Sequence, residues 1–463
     1  MAGLTNLLYT ARDALAAQSY GLSVTGNNIA NANTPQYVRR EAVLQTRSLA
    51  GASGGVEVQG IRRATDIVAE RRLLEASGLH SSAYEHDRQL SQVEALFNDA
   101  AGTGLGSALD ALMSSFSGLA SNPGDATARS TVLERAQAFA GQVNAVGDAL
   151  ATQRSELLEQ ARQTVDAINA RATEVAKLSR QISMAQANNS DASDLVDQRN
   201  LVLLDMSELV DLRTFYNGSG ELVVQAAGTT LVEGGSARSF QVDLDGEGSM
   251  RLLASRTGGP PTEVTAYLSG GRLAGLKEAR DGDVFEVQRR FDQFVFDVGS
   301  AINAQHAAGY GQDGVTGRSL FQLSATPEGA ARSVVLDPEL LGRPERVAAA
   351  GSAAELPGGS SNAVALSRLA DAAVAGAGTK TAAQSYGDLI GYVGGRKAAA
   401  ADQVGLRDAI FTQTQAFRES TSGVSLDEEM VALTRYQRAY EASAKVLSTV
   451  DQLLEELIAR LGR

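Results

Sequence analysis

The sequence predicts a mainly α-helical, multidomain chain with an inserted β-rich module, nested so that its N- and C-terminal helices pair as a coiled coil. Three observations predict this. Apolar residues recur at alternating steps of four and three from Leu4 and again from Leu426. Residues 80 to 205 hold one proline, Pro123, and carry helical periodicity. Beyond them, short apolar runs alternate with Gly-rich turns at roughly ten-residue spacing.

The first seam runs Leu4, Leu8, Ala11, Leu15, Gln18, Leu22, Thr25, Ile29, six of eight apolar. A lone amphipathic helix packed on a core fits that segment equally well. The second seam favours pairing: Leu426, Met430, Leu433, Gln437, Tyr440, Ala444, Leu447, Asp451, Leu454, Ile458 and Leu461 are nine-elevenths apolar, with no Pro or Gly from Val424 to Leu461. After the first seam comes "GNNIANANTPQYVRR", Gly26 to Arg40. Asn28, Asn31 and Asn33 are residue types that cap helix ends and tolerate left-handed turns. Pro35 disfavours helical geometry at Thr34, so the helix should stop before it.

Val132 to Gln186 reads as one helix, roughly 80 Å long at 1.5 Å per residue. "SNPGDATARS" before it is a helix–helix turn with Asp125 as the cap. From "LVDLRTFYNGSGELVV" the texture is β-rich, and helical spacing returns with Val284, Val287, Phe291, Phe294, Val298 and Ile302. Residues 309 to 361 read as irregular, with a strand at Ser333 to Leu336, and helix returns from Asn362. The expected division is a terminal coiled-coil domain (1–40 with 424–463), a long-helix domain (41–205 with 283–423) and a β-rich domain (206–282).

Composition narrows the function. The 463 residues carry 43 % hydrophobic side chains, enough for a core, and a net charge of −13. That charge opposes nucleic-acid binding, which needs concentrated Lys and Arg, and favours a self-repelling soluble monomer. Cysteine is absent, which removes disulfides and thiolate chemistry. The N-terminus lacks a secretory signal pattern, and no run of about 18 apolar residues predicts membrane insertion.

No catalytic constellation emerges. His80 and His86 are six apart, out of phase for a helical metal pair, and read as surface or capping residues. "GASGG" around Ser53 matches a nucleophile-elbow string without its strand–turn–helix setting, and reads as a flexible loop. "DLDGEG" resembles a calcium loop, but the flanking acids are missing and a hairpin turn is expected. "AGTGLGS" and "GGRK" lack the context of phosphate-binding loops. The chain reads as a non-enzyme with no cofactor and no metal.

"NNIANANTPQYVRR" closely resembles the N-terminal signature of the flagellar axial protein family, the rod, hook and hook-associated proteins. The usual form has Gly where this chain has Gln36. "EEMVALTRYQRAYEASAKVLSTVDQLLEELI" resembles the family's matching terminal helix. "DLVDQRNLVLLDMSELVDL", "GRLAGLKEARD", "INAQHAAGYGQDG" and "SGVSLDEEM" narrow the likeness to the hook–filament junction branch of the hook-associated proteins. The likeness is weakest in residues 235 to 262 and 312 to 361.

The resemblance implies a secreted structural component of the bacterial flagellum that joins hook to filament as a junction ring, exported through the flagellar type III apparatus without a cleaved signal. It implies self-assembly, contact with the hook protein and with the second hook–filament junction protein, and a cytoplasmic export chaperone on the C-terminal helix. Leu4, Leu8, Leu15, Leu22, Ile29, Asn28, Asn31, Asn33, Pro35, Leu426, Met430, Leu433, Tyr440, Leu447, Leu454 and Ile458 would form the assembly interface of the inner tube. The rivals are another axial protein, a hook or distal-rod subunit, and a cytoplasmic coiled-coil scaffold.

Overall fold

The computed structural model describes residues 2–34, 36–49, 52–98, 102, 104–188, 190–256 and 258–461. It is mainly helical, with small antiparallel sheets. Helix α1 (Ala2–Ala30) leads into a hairpin of β1 (Arg40–Leu49) and β2 (Ala52–Arg63), paired with Glu41 opposite Arg62. The helix ends before Pro35, which itself lies outside the described residues. The hairpin lies along α1. Ala52 to Gly55 of the "GASGG" string belong to β2 and not to a flexible loop. A strand follows a strand there, which excludes a nucleophile elbow.

The body is built on α4 (Ala126–Ala187), 62 residues and about 93 Å long at 1.5 Å per residue. Asp125 caps it, accepting a hydrogen bond from the Thr127 amide at 2.9 Å. Its stripe of Val132, Phe139, Val143, Leu150, Leu157 and Ile168 is buried. Around this stripe pack α2 (Ile67–Leu96), α3 (Leu105–Ser121) and α5 (Ser193–Leu209). Asp66 caps α2 through the amides of Val68 and Ala69.

The β-rich segment forms two sheets. One orders β3 (Leu212–Tyr216), β4 (Leu222–Ala226), β5 (Thr229–Glu233) and β6 (Ser236–Ala237). The other holds β7 (Phe240–Leu244), β8 (Met250–Arg256) and β9 (Gly259–Glu263), with "DLDGEG" as the β7–β8 turn. Asp245 accepts from the amides of Glu247 and Ser249, closing that turn as expected.

Helix α6 (Gly271–Lys277) continues through a π-helical turn, Glu278–Val284, into α7 (Phe285–Ala308). Gly275 lets α6 sit directly on α2: a Cβ there would lie 2.4 Å from the Ser82 carbonyl oxygen. Strand β10 (Phe321–Gln322) pairs with β11 (Val335–Leu336), flanking the single turn α8 (Ala330–Ser333). The strand expected from Ser333 is thus shorter, because Ser333 ends a helical turn capped back to Gly329. Helix α9 (Ser361–Ser367) is short, and the long α10 begins only at Ala382 (Ala382–Ser422), behind a Thr381 capping box. Helix α11 (Leu426–Leu461) closes the chain. Among the described residues, no helix is long and apolar enough to cross a membrane.

His86 departs from the surface reading. It is buried, and its Nε2 lies 2.6 Å from Asp283 Oδ2 on the π-helical turn. Arg396 of α10 donates to the same carboxylate. Burial raises the Asp283 pKa, but the His86 and Arg396 hydrogen bonds outweigh it and hold the carboxyl below its usual range. The cluster ties α2, the π turn and α10 together. His80, by contrast, is half-buried and stacks on Phe411 with centroids 5.4 Å apart.

Candidate assembly site

Helices α1 and α11 pair along their lengths. They run antiparallel, because Asn28 meets Glu429 while Gly21, seven residues earlier, meets Tyr436, seven residues later. Gly21 is the seat for the Tyr436 ring: a Cβ there would fall 2.5 Å from the ring. The other side of α1 carries the hairpin, with Gly55 against Thr10 and Asp13. Sandwiched this way, Leu4, Leu8, Leu15, Leu22 and Ile29 are all half-buried, and Ala11, Ala17 and Val24 are buried.

Helix α11 is different. Its inward line is Glu429, Leu433, Tyr436, Ala439, Ser443, Leu447, Val450 and Leu454, spaced by threes and fours. Of the seven interface positions read on this helix, three lie on this line. Leu433, Leu447 and Leu454 do, but Leu426, Met430, Tyr440 and Ile458 are exposed, at 49, 61, 40 and 68 %. The correction is one of phase. The seam counted from Leu426 steps one residue past Glu429, Tyr436 and Val450, so Met430, Gln437 and Asp451 are each turned about 100° from that line. Val431, Val446 and Leu453 are exposed as well.

The pair is fastened to the body at the signature loop. Asn28 is buried and uses its whole amide. Its Nδ2 donates to the Arg40 carbonyl (2.8 Å) and to Glu429 Oε2 (2.9 Å), and its Oδ1 accepts from the Arg40 amide (3.1 Å) and the Tyr37 hydroxyl (3.0 Å). Arg39 donates to the other Glu429 oxygen at 2.7 Å and pairs with Glu428. Arg40 turns the opposite way, onto Asp194 (2.6 Å) and Asp197 (2.7 Å) of α5, and Arg63 also pairs with Asp197. Burial opposes the Arg40 charge, but the two aspartates outweigh it and raise its pKa, fixing the cation. Burial likewise raises the Tyr37 hydroxyl, keeping it a donor.

Asn31 donates from its side chain to the Asn27 carbonyl, satisfying an end of α1, while Asn33 is exposed. Gln36 sits at φ +61°, the left-handed region, at the position where the signature usually has Gly. Its carbonyl accepts from Arg418, itself buried at the end of α10. The residues missed from sequence are Gly21, Tyr436, Glu429 and the Arg39/Arg40 pair. The charge match between "VRR" and "DEE" was the available signal. Among the described residues, no group of three or more His, Asp or Glu side chains is placed to hold a metal ion.

Residues 90–321 match the family model "Flagellar hook-associated protein FlgK helical domain". The two ends match other models, residues 8–37 "Flagella basal body rod protein" and residues 418–461 "Flagellar basal body rod FlgEFG protein C-terminal". A relative from Bacillus subtilis named flagellar hook-associated protein 1 is 27 % identical over 98 % of both chains. A Salmonella typhimurium relative of the same name is 28 % identical over 70 % of this chain and 60 % of its own length. The solved flagellar hook junction protein FlgK from Burkholderia pseudomallei has the same fold, with a TM-score of 0.68 at 16 % identity, over 76 % of this chain and all of that one. With half its length matched by the helical-domain model, the chain belongs to the flagellar hook-associated protein 1 family of structural components of the bacterial flagellum.

Proposed function

We propose that copies of this chain assemble through the α1–α11 pair into a ring that joins the flagellar hook to the filament. The observation that carries this reading is the outer face of α11. Among the described residues of that helix, only Glu429 and Val450 are fully buried, while seven large apolar side chains stand exposed. A solvated helix does not keep such a surface without a partner. The hook protein on one side and the second hook–filament junction protein on the other are the axial neighbours. Export proceeds through the flagellar type III apparatus, with a cytoplasmic chaperone covering the C-terminal helix beforehand. The role is structural, without catalysis.

On this reading the chain divides into a terminal unit (1–40 with 424–463, the hairpin lying on it), a long-helix body (41–205 with 283–423) and a β-rich outer module (206–282). The sixteen interface positions split by task. Leu4, Leu8, Leu15, Leu22, Ile29, Leu433, Leu447 and Leu454 hold the pair, and Leu426, Met430, Tyr440 and Ile458 face neighbours. Asn28, Asn31, Asn33 and Pro35 shape the link to the body. The test is Met430→Glu combined with Val431→Asp, in a strain lacking its own copy. Both side chains are exposed in the monomer, so the fold should stand while filament subunits are shed into the medium. Full-length filaments and normal swimming would contradict the proposal.

A further inference from the structure

Strand β3 is an edge of its four-stranded sheet, paired with β4 on one side. Two bonds fix the phase of that pairing. The Asn217 amide donates to the Glu221 carbonyl at 2.9 Å, while the Leu222 carbonyl turns the other way and accepts from Gly234, just beyond β5, at 3.3 Å. Bonded pairs alternate along an antiparallel ladder, so Arg213 and Phe215 turn their backbone groups to β4, and Leu212, Thr214 and Tyr216 turn theirs outward. Among the described residues, none of these three makes a backbone bond beyond its sheet.

A cleft runs along this outer edge, between β3 and the first half of α2. Five consecutive residues from Asp211 to Phe215 line it, so it meets the backbone edge of the strand and not one face of the sheet. It holds about 380 Å³ there and continues past Thr214 into a narrow end of about 50 Å³ beside Tyr216. Ile67, Phe215 and Tyr216 stand exposed along its walls. Arg199 of α5 lines the narrow end and is only 4 % exposed. It donates to the Tyr216 hydroxyl at 3.3 Å, its Nε has no partner, and it makes no ion pair among the described residues. Glu70 lines the same end, but three cations face it, Arg63, Arg199 and Arg418, and Asn200 donates to it at 3.3 Å. Arg71 stands where the two parts meet, and the far end is acidic, with Glu75 and Asp211 against Arg213.

We infer that this cleft takes an extended segment of a partner protein, added antiparallel to β3 as a further strand, with a side-chain carboxylate at its first residue seated on Arg199. A free edge with outward amides and carbonyls is a template for such a strand, and its main-chain bonds supply affinity without regard to sequence. Selection comes from the narrow end. Residues opposite each other on paired strands point to the same face, so a side chain opposite Tyr216 points as Tyr216 does, towards Arg199. A carboxylate there gives the buried guanidinium the ion pair that its own chain does not supply. Glu75 and Asp211 disfavour a carboxylate at the other end, which sets the direction of the segment.

The test titrates the full-length chain by calorimetry with acetyl-Glu-Thr-Val-Thr-Thr-amide and with the same peptide carrying Gln in place of Glu. The Glu peptide should bind saturably, and the Gln peptide about tenfold more weakly or worse. Thr214→Pro removes an outward amide and leaves the bonds to β4, so it should abolish binding while the circular dichroism spectrum stays unchanged. Arg199→Gln should erase the difference between the two peptides. No saturable binding of the Glu peptide at millimolar concentration would overturn the inference. Equal affinity of the two peptides for the unaltered chain would do the same, whatever the variants do, and so would undiminished binding to a folded Thr214→Pro chain.

Discussion

Helices α4 and α11 are both long and both amphipathic, yet one is finished and the other is not. Along α4 the apolar stripe is covered on every turn by α3, α5, α6 and α7, and residues such as Val132, Leu150 and Ala161 have no exposure left. Among the described residues of α11 only the α1-facing line is covered, and large apolar side chains remain exposed beside it. Helix propensity does not separate them, since both are rich in Ala, Leu and charged residues. What differs is the number of neighbours supplied by the same chain. In a helix whose stability comes from packing, that number sets how much order the isolated chain can hold.

Substitutions in the two seams should separate most sharply. Leu150→Asp buries a carboxylate in α4 and should cost at least ~4 kcal/mol, abolishing the main thermal transition. Leu447→Asp, at the half-buried α1–α11 contact, should leave that transition in place and remove only terminal helicity. Circular dichroism melts of the two variants distinguish these outcomes. Equal loss in both would mean that the terminal pair is part of the body's cooperative unit.

Acid should act on the body before it acts on the terminal pair. His306 of α7 is fully buried, with Nδ1 at 2.7 Å from the Arg318 carbonyl and Nε2 accepting from the Ala348 amide. Burial lowers its pKa from 6.5 to about 4. The unfolded chain therefore binds the extra proton between these values, and stability is lost as pH falls from 6.5 through 4. The loss is on the order of 3 kcal/mol by pH 4. A pH series of denaturant midpoints should show this drop in the parent and not in His306→Gln, above the background shared by both.

The link between the two regions comes next. Asn28→Ala strips partners from the buried Glu429 carboxylate, the Tyr37 hydroxyl and the Arg40 backbone, at a cost of about 2 kcal/mol. Proteolytic release of the first ~30 residues should then quicken roughly 30-fold, since 1.4 kcal/mol is tenfold, with the body's melting unchanged. An unaltered release rate would show that the salt bridges of Arg39 and Arg40 suffice. The smallest effect is a gain. Gln36→Gly relieves a left-handed non-glycine residue and should stabilise the link by at most ~1 kcal/mol, read as slower release of the same fragment.

These contrasts also explain what was legible in the sequence. The α4 stripe was readable because one chain supplies all its neighbours, so a single 3.6-residue period describes it. Asp125 and the Asp245 turn were readable because capping and turn chemistry are local. The α11 seam was misphased because two apolar sets overlap on that helix, one for α1 and one on the flanks, and a count from Leu426 mixes them. Glu429 was passed over because a carboxylate interrupts an apolar count, although its partners Asn28 and Arg39 make it the most buried charge on the helix. His86 was read as a surface residue because its partner, Asp283, is almost two hundred residues away and lies on a π-helical turn that no short-range pattern announces.

Hydrogen exchange at the backbone amides of α1, α4 and α11 tests the central claim most directly, measured first on the isolated monomer and then on purified hook–filament junctions. The account predicts strong protection of α4 in both states, and weak protection of α1 and α11 in the monomer that rises towards the α4 level on assembly. Equal, strong protection of α11 in monomer and junction would mean that the terminal pair is already complete within one chain, and the assembly role of its outer face would be contradicted.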